Sequence, residues 1–562
     1  MNLYVLGLLL LVVANIKTVA AESGRPNVLF LVIDDLRPAL GCYDYPKIFS
    51  PNIDKLASFS MKFENAHIQQ AVCGPSRTSF LTSRRPDTTR LYDFGSYWRT
   101  HAGNYTSLPQ HFKENGYFTY SIGKVFHPGI CSNYNDDFPL SWSLPACHPP
   151  TQKYKMKQVC PGPDGKLHMN LLCPVNVSTQ PEHSLPDIQS AGHAVEMIRK
   201  FSNNKSQPFF LAVGFHKPHI PYKFPEQYLD LYPISEIDLA PNPFIPKELP
   251  PVAFSPYTQM RIREDVKSLN LSFPFGPIPY DFQRKIRQHY YSSVTYMDSM
   301  VGKVLQQLEQ SGFADNTIIT LIGDHGWSLG EHGDWCKYEN FEVTTRVPML
   351  VHVPGMTDVN KGKKAKFQYI DVFNEKPRKS VKSGPHLNVL VEAVDLFPTL
   401  AELAQLPVPP KCPESPFKVK FCTEGASFAQ LIEYSSENYA VQHKGLKTHI
   451  KKGIPWKSAV FSQYPRPSDY PQQNTDLPSL KDIRIMGYTM RTHHYRYTAW
   501  VSFNPVKFFA NFSEVHAREL YLRDSDPLEI YNVANLKEYS NLVSKLHTRL
   551  AKGWRHEVFD FQ

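Results

Sequence analysis

The chain has 562 residues, 42% hydrophobic and 20% charged, with 61 Lys and Arg against 52 Asp and Glu. That length can bury a large core and suits two or more structural units. The formal charge of +9 is compatible with polyanionic partners, yet no Lys/Arg block is long enough for an electrostatic tail, so nucleic acid is not an expected partner.

Residues 1–21 read as a secretory leader, with the short apolar run Leu6 to Val13 followed by Val19-Ala20-Ala21, which suits a signal-peptidase site. The run is too short to span a bilayer and no later stretch is long and apolar enough, so a soluble protein outside the cytosol is expected. Sequons at Asn104, Asn176, Asn204, Asn270 and Asn511 fit that route. Nine cysteines leave at least one unpaired. Cys160 with Cys173 and Cys412 with Cys422 bracket short Pro-rich loops and read as local disulfides, with Cys131 and Cys147 as a third pair.

Along the chain, short β-branched apolar runs end abruptly in polar residues. Asn27 to Ile33 runs into Asp34-Asp35, and Phe118 to Ile122 into Gly123-Lys124 with His127 just after. Phe209 to Val213 leads to His216-Lys217-Pro218-His219, and Ile318 to Ile322 to Asp324-His325. Near-continuous apolar runs are what strands covered on both faces of a parallel sheet look like. Amphipathic segments at Leu108 to Asn115, Ala191 to Phe201 and Tyr291 to Gln310 alternate with them, which predicts an α/β fold. Ligands bind beyond the carboxyl ends of such strands, so the four polar clusters should converge on one site. Residues 22–434 form this unit, 435–455 a connecting loop, and 456–562 a smaller α+β unit. In that unit Ala459 to Tyr464, Ile485 to Arg491, Tyr495 to Val501 and Glu519 to Leu522 read as antiparallel strands and Leu542 to Trp554 as a closing helix. The Pro-rich stretches 138–186 and 240–280 read as ordered insertions.

Cys73-Gly74-Pro75-Ser76-Arg77 is the sharpest motif. Pro75 suits the first turn of a helix, where free backbone N–H groups and the dipole favour anions. The local physics leaves a buried or low-pKa thiol as an equal reading. With Leu81-Thr82 and Arg84 the pentapeptide resembles the signature of the sulfatase family, although Ser83 stands where the family usually has glycine. The resemblance extends through Asp34-Asp35, Gly123-Lys124 with His127, Asp324-His325-Gly326, Leu329 to Gly333 and Lys337 to Glu519-Leu520-Tyr521 and Asp526-Pro527.

The resemblance implies an alkaline-phosphatase-like sandwich: a large, mostly parallel sheet flanked by helices, and a smaller C-terminal antiparallel sheet with a helix. It implies that Cys73 is oxidised to 3-oxoalanine (formylglycine) by the formylglycine-generating enzyme, and that the hydrated aldehyde attacks sulfur. Arg77, Lys124 and a metal would hold the sulfate charge, His219 and Lys337 would contact the sulfate and assist the leaving oxygen, and His127 would take a proton to release it. Asp34, Asp35 and Asp324 are hard oxygen ligands, which suit one Ca²⁺ better than zinc, with residue 73 completing the set. His325 either ligates the metal or bonds a sulfate oxygen. Of the His216/His219 pair the resemblance selects His219, while His332 reads as structural.

Finer stretches, at Arg84 to Arg90, His216 to Pro221, Gly276 to Lys285 and Ser462 to Pro467, resemble the family branch that removes the 2-sulfate from L-iduronate at the non-reducing end of heparan and dermatan sulfate. A pocket lined by Trp98, Trp327, Lys337 and Tyr338 is expected for that sugar, in a lysosomal monomer that has a glycosaminoglycan as its partner. Two alternatives share the fold: a sulfatase for another sugar, and a silent glycosaminoglycan-binding protein. The intact Cys73, Lys124, His127 and Asp324 argue against the second.

Overall fold

The computed structural model describes residues 24–45, 47–358, 365–374, 384–439 and 456–557. The leader and residues 440–455 of the expected connecting loop lie outside these.

The apolar runs form the middle of a seven-stranded sheet. Its strands are β1 (Asn27–Ile33), β2 (Met61–His67), β3 (Phe118–Gly123), β4 (Phe209–Phe215), β5 (Thr317–Gly323), β6 (Arg346–His352) and β7 (His386–Glu392), in the spatial order β7-β2-β6-β5-β1-β4-β3. All pairings are parallel except those of β6, which runs antiparallel to both β2 and β5. Every residue of β1, β4 and β5 is buried, which explains the absence of polar alternation in their sequences.

Helices α1 (Cys73–Thr82), α2 (Leu108–Glu114), α3 (Pro186–Phe201) and α4 (Tyr280–Gln310) join or flank the strands. Ser107 and Gln110 form a reciprocal capping box at the start of α2. The helix α5 (Ala429–Tyr439) continues past residue 434, so helix replaces loop at the start of the expected connection.

At the polar ends of the strands the ladder continues into the site residues. The Asp34 N–H donates to Phe215 O at 3.1 Å, the Asp324 N–H to Ile33 O at 3.1 Å and the Lys124 N–H to Gly214 O at 3.0 Å. These bonds fix three chemically active side chains side by side at one edge. The close approach at Lys124 needs a glycine opposite, because a Cβ on Gly214 would collide with the Lys124 backbone.

The second sheet is antiparallel, with β8 (Val460–Arg466), β9 (Ile485–Arg491), β10 (Tyr495–Asn504) and β11 (Phe509–Leu522) in sequential order. The helix α6 (Ser540–Lys552) packs Val543, Leu546 and Leu550 against Met490, Tyr497 and Ala499. The two sheets meet at a buried ionic seam. Lys457 Nζ donates to Glu392 Oε2 and to both Asp395 oxygens at 2.8 Å, and Arg85 donates to Glu392 at 2.8 and 2.6 Å.

The disulfides Cys160–Cys173 and Cys412–Cys422 are formed, but the expected Cys131–Cys147 pair is not. Cys131 turns its sulfur to His127, 3.3 Å from the carbonyl oxygen and 3.6 Å from Nδ1, whereas Cys147 bridges to Ile122 beside β3. The two insertions are ordered, the first stapled by Cys160–Cys173.

Candidate active site

Helix α1 starts at Cys73 itself, and all of its residues are buried. It is pinned by Ser76, whose hydroxyl donates to the Asp324 carbonyl oxygen, and by Arg77. The Arg77 guanidinium donates from Nη2 to Asp34 Oδ1 at 3.0 Å and from Nε to Asp324 Oδ2 at 2.8 Å, and reaches the Lys124 and Val125 carbonyls with Nη1. One residue past α1, Ser83 adopts φ 51° and its hydroxyl donates to Val394 O at 2.6 Å. A left-handed backbone there is what glycine usually supplies, so Ser83 carries a backbone strain that glycine would not.

The Cys73 sulfur is 1% exposed with its residue and sits 3.4 Å from Asp34 Oδ1, 3.3 Å from His325 Nε2 and 3.2 Å from Lys337 Nζ. Lys124 Nζ lies 2.6 Å from Asp34 Oδ2 and Lys337 Nζ 2.7 Å from Asp35 Oδ1, so each adjacent aspartate carries its own ammonium. Lys337 is 2% exposed.

Ligand atoms of Asp34, Cys73, Asp324 and His325 lie within 4.8 Å of one another, as do those of Asp34, Asp35, Cys73 and His219. Asp35 Oδ2 is buried with no hydrogen-bond partner, an acceptor that a cation would satisfy. The His325 ring is oriented by Nδ1–H donating to Gly326 O at 2.9 Å, which turns Nε2 towards Asp35 Oδ1 at 3.4 Å and Asp324 Oδ2 at 3.5 Å. The residues therefore fit a hard cation.

Electrostatics follow from this crowding. Burial pushes the Asp34 carboxyl upward, but Lys124, His219, Arg77 and Lys337 outweigh it and hold it well below the usual range. For Asp35 burial wins over Lys337, and its carboxyl is raised. Burial, reinforced by Lys124 and Arg77, holds His127 well below the usual imidazole range, and His219 is lowered by burial with Lys155 and Lys337. Both imidazoles are thus neutral bases near pH 7. His127 stacks on Phe94 with ring centroids 4.3 Å apart, which fixes its plane.

Residues 26–406 match the sulfatase family. The chain belongs to the sulfatase family. It is 54% identical over 522 residues to the iduronate 2-sulfatase of Mus musculus, covering 92% of this chain and 93% of that protein. To the iduronate 2-sulfatase of Homo sapiens it is 53% identical over 521 residues, covering 92% and 93%. The solved phosphonate monoester hydrolase of Agrobacterium radiobacter shares the fold, with a TM-score of 0.63 at 18% identity over 94% of this chain and 95% of that one. This sulfatase is accordingly a sulfuric ester hydrolase on a fold that its distant neighbours also use.

Among the sugar-lining expectations for this sulfatase, Trp327 and Tyr338 lie beside the Lys337 ammonium, with ring centroids 5.6 and 5.8 Å from Nζ. Trp98 does not join them. It is fully buried, stacked on Phe126 at 5.3 Å and edge-on to Tyr97, because an indole at the start of a short helix under residues 125–126 completes the core there. His216 is tied through Nδ1 to Asp187 at 3.3 Å, and His332 is structural, its Nε2–H donating to Leu528 O at 2.9 Å and its ring stacked on Phe341. The sequence reading missed Lys155, whose Nζ is 3.5 Å from His219 Nε2. It lies in an irregular Pro-rich insertion, where no periodicity signals which way a side chain faces.

Proposed function

We propose that the chain removes the 2-sulfate from L-iduronate at the non-reducing end of heparan and dermatan sulfate, as a lysosomal enzyme delivered through the secretory pathway. Identity above one half to proteins named for iduronate 2-sulfate supports the sugar; the observation that carries the chemistry is Cys73 set among Asp34, His325 and Lys337. We also take residues 1–21 as a removable leader, 22–434 as the catalytic unit and 456–562 as its C-terminal companion.

Formylglycine made from Cys73 by the formylglycine-generating enzyme supplies, when hydrated, the attacking hydroxyl, and one Ca²⁺ held by Asp34, Asp35, Asp324 and His325 with residue 73 supplies positive charge for the sulfate oxygens. Lys124 and Lys337 add two ammoniums around the same point, and because they are already fixed on Asp34 and Asp35, no reorganisation is needed when charge develops there. Arg77 holds Asp34 and Asp324 in register, so its part is to keep the carboxylates aligned. His127, kept neutral, accepts a proton at Nε2, the ring nitrogen that Cys131 leaves free. His219 and Lys337 sit where the leaving oxygen departs, and the Lys337 ammonium can pass it a proton.

The test is sulfate release from a disaccharide ending in 2-sulfated iduronate, set against one ending in 6-sulfated glucosamine. The proposal expects turnover of the first and at most traces with the second. Equal turnover of both, or preference for the glucosamine, would refute the assigned sugar.

A further inference from the structure

Two cations near the reacting centre have no task in the chemistry above. Lys155 follows the turn Pro150–Tyr154 in the first insertion, and Lys223 lies on the short strand Tyr222–Pro225. Both line one cavity with Asp34, His216, Lys217 and His219.

The charge balance of that cavity is one-sided. Asp34 is its one acidic lining residue, and it is already paired with Lys124 and Arg77. Lys217 is committed to the carbonyl oxygens of His219 and Pro221. Among the described residues no carboxylate lies within salt-bridge distance of Lys155 or Lys223, although Lys223 is only 6% exposed. A buried ammonium without a counter-charge is unfavourable, and such groups are ordinarily paired. Burial, with Lys124, brings Lys155 down to about 7, and burial brings Lys223 to about 8, the mark of cations lacking a counter-charge. The cavity begins at Asp34, whose Oδ1 is 3.4 Å from the Cys73 sulfur, so an anion held there belongs to the molecule whose sulfate is being cleaved.

We propose that this cavity is a second anion subsite, in which Lys155 and Lys223 receive the carboxylate of the terminal uronate whose 2-sulfate lies at residue 73. The assignment rests on the substrate reading given above. It makes the two lysines specificity-determining, because they reward a sulfated uronic acid over a sulfated neutral sugar of the same shape.

The experiment compares wild type, Lys155→Met, Lys223→Met and Lys155→Arg on the 2-sulfated iduronate disaccharide and on the same compound with its carboxyl reduced to an alcohol. Wild type should show a KM about tenfold higher on the reduced compound. Each methionine variant should raise KM about tenfold on the acid, change kcat by less than about threefold, and leave KM on the alcohol unchanged. Lys155→Arg, always charged, should restore the low KM on the acid. Equal KM changes on both compounds, or none, would overturn the subsite while leaving the sugar assignment intact. A KM effect that appears only when the adjoining glucosamine is N-sulfated would give the cavity to the neighbouring sulfate and overturn the carboxylate assignment. Failure of wild type to hydrolyse the iduronate compound at all would overturn both readings together.

Discussion

Lys457→Met isolates the seam between the two sheets. Lys457, Arg85, Glu392 and Asp395 are buried and make a neutral set of two cations and two carboxylates. Methionine keeps most of the side-chain volume but leaves one negative charge without its partner. Removing one side of a buried pair costs about 3–5 kcal/mol. Phe461 N–H still donates to Glu392 at 3.0 Å and Ala426 N–H to Asp395 at 2.8 Å, so the lower end, about 3 kcal/mol, is expected. Urea unfolding followed by tryptophan fluorescence reads it directly, since Trp456 is anchored in the seam by a 2.7 Å bond from Nε1 to Leu390 O. Lys457→Met with Asp395→Asn restores neutrality and should recover at least half of the loss. A single variant within about 1 kcal/mol of wild type, as for an exposed pair, or a double variant no better than the single, would refute the argument.

Cys73→Ser should lower sulfate release by about 10⁴-fold or more with an unchanged circular dichroism spectrum, and activity within tenfold of wild type would remove residue 73 from the chemistry. His127→Ala should cost about 100-fold in kcat and regain part of it with added imidazole; unchanged turnover would exclude His127 as a base. Asp334 is pushed up to about 7 by burial and by Asp476, well above the ordinary range of an aspartate. Because the folded chain keeps a proton that the unfolded chain releases, this stability is full below about pH 4 and lost as pH rises through about 7. Asp334→Asn should therefore gain about 2 kcal/mol relative to wild type between pH 5 and pH 7.5, and urea midpoints that move in parallel for both proteins would contradict it.

The sheet and most of the site were legible because their signals are local. A strand buried on both faces must be apolar throughout, so Asp34, Lys124 and Asp324 stand out as the first polar residues beyond β1, β3 and β5. The α1 motif carries its own geometry, with Pro75 in the first turn. Features set by distant contacts were not legible. Nothing in Arg346–His352 says that β6 runs against its neighbours. The strand β11 begins at Phe509 rather than 519, because its outer half is largely exposed and shifted in register at Trp500–Ser502, which blurs the alternation. Trp98 looked like a sugar platform, since an aromatic on a loop and an aromatic plugging a core read alike in one dimension. Cys131 looked like half of a disulfide, although its sulfur serves His127.

The depth of Cys73 has a consequence in time. With its residue 1% exposed beneath Asp34, His325 and Lys337, the thiol offers no access to a second protein once the sheet has closed. If Cys73 is the formylglycine precursor proposed above, its oxidation would have to come on the nascent chain, before Asp324 and Lys337, made some 250 residues later, arrive to cover it. Maturation would then be a race between a visiting enzyme and folding, and a variant that folds faster around α1 would emerge stable and inert.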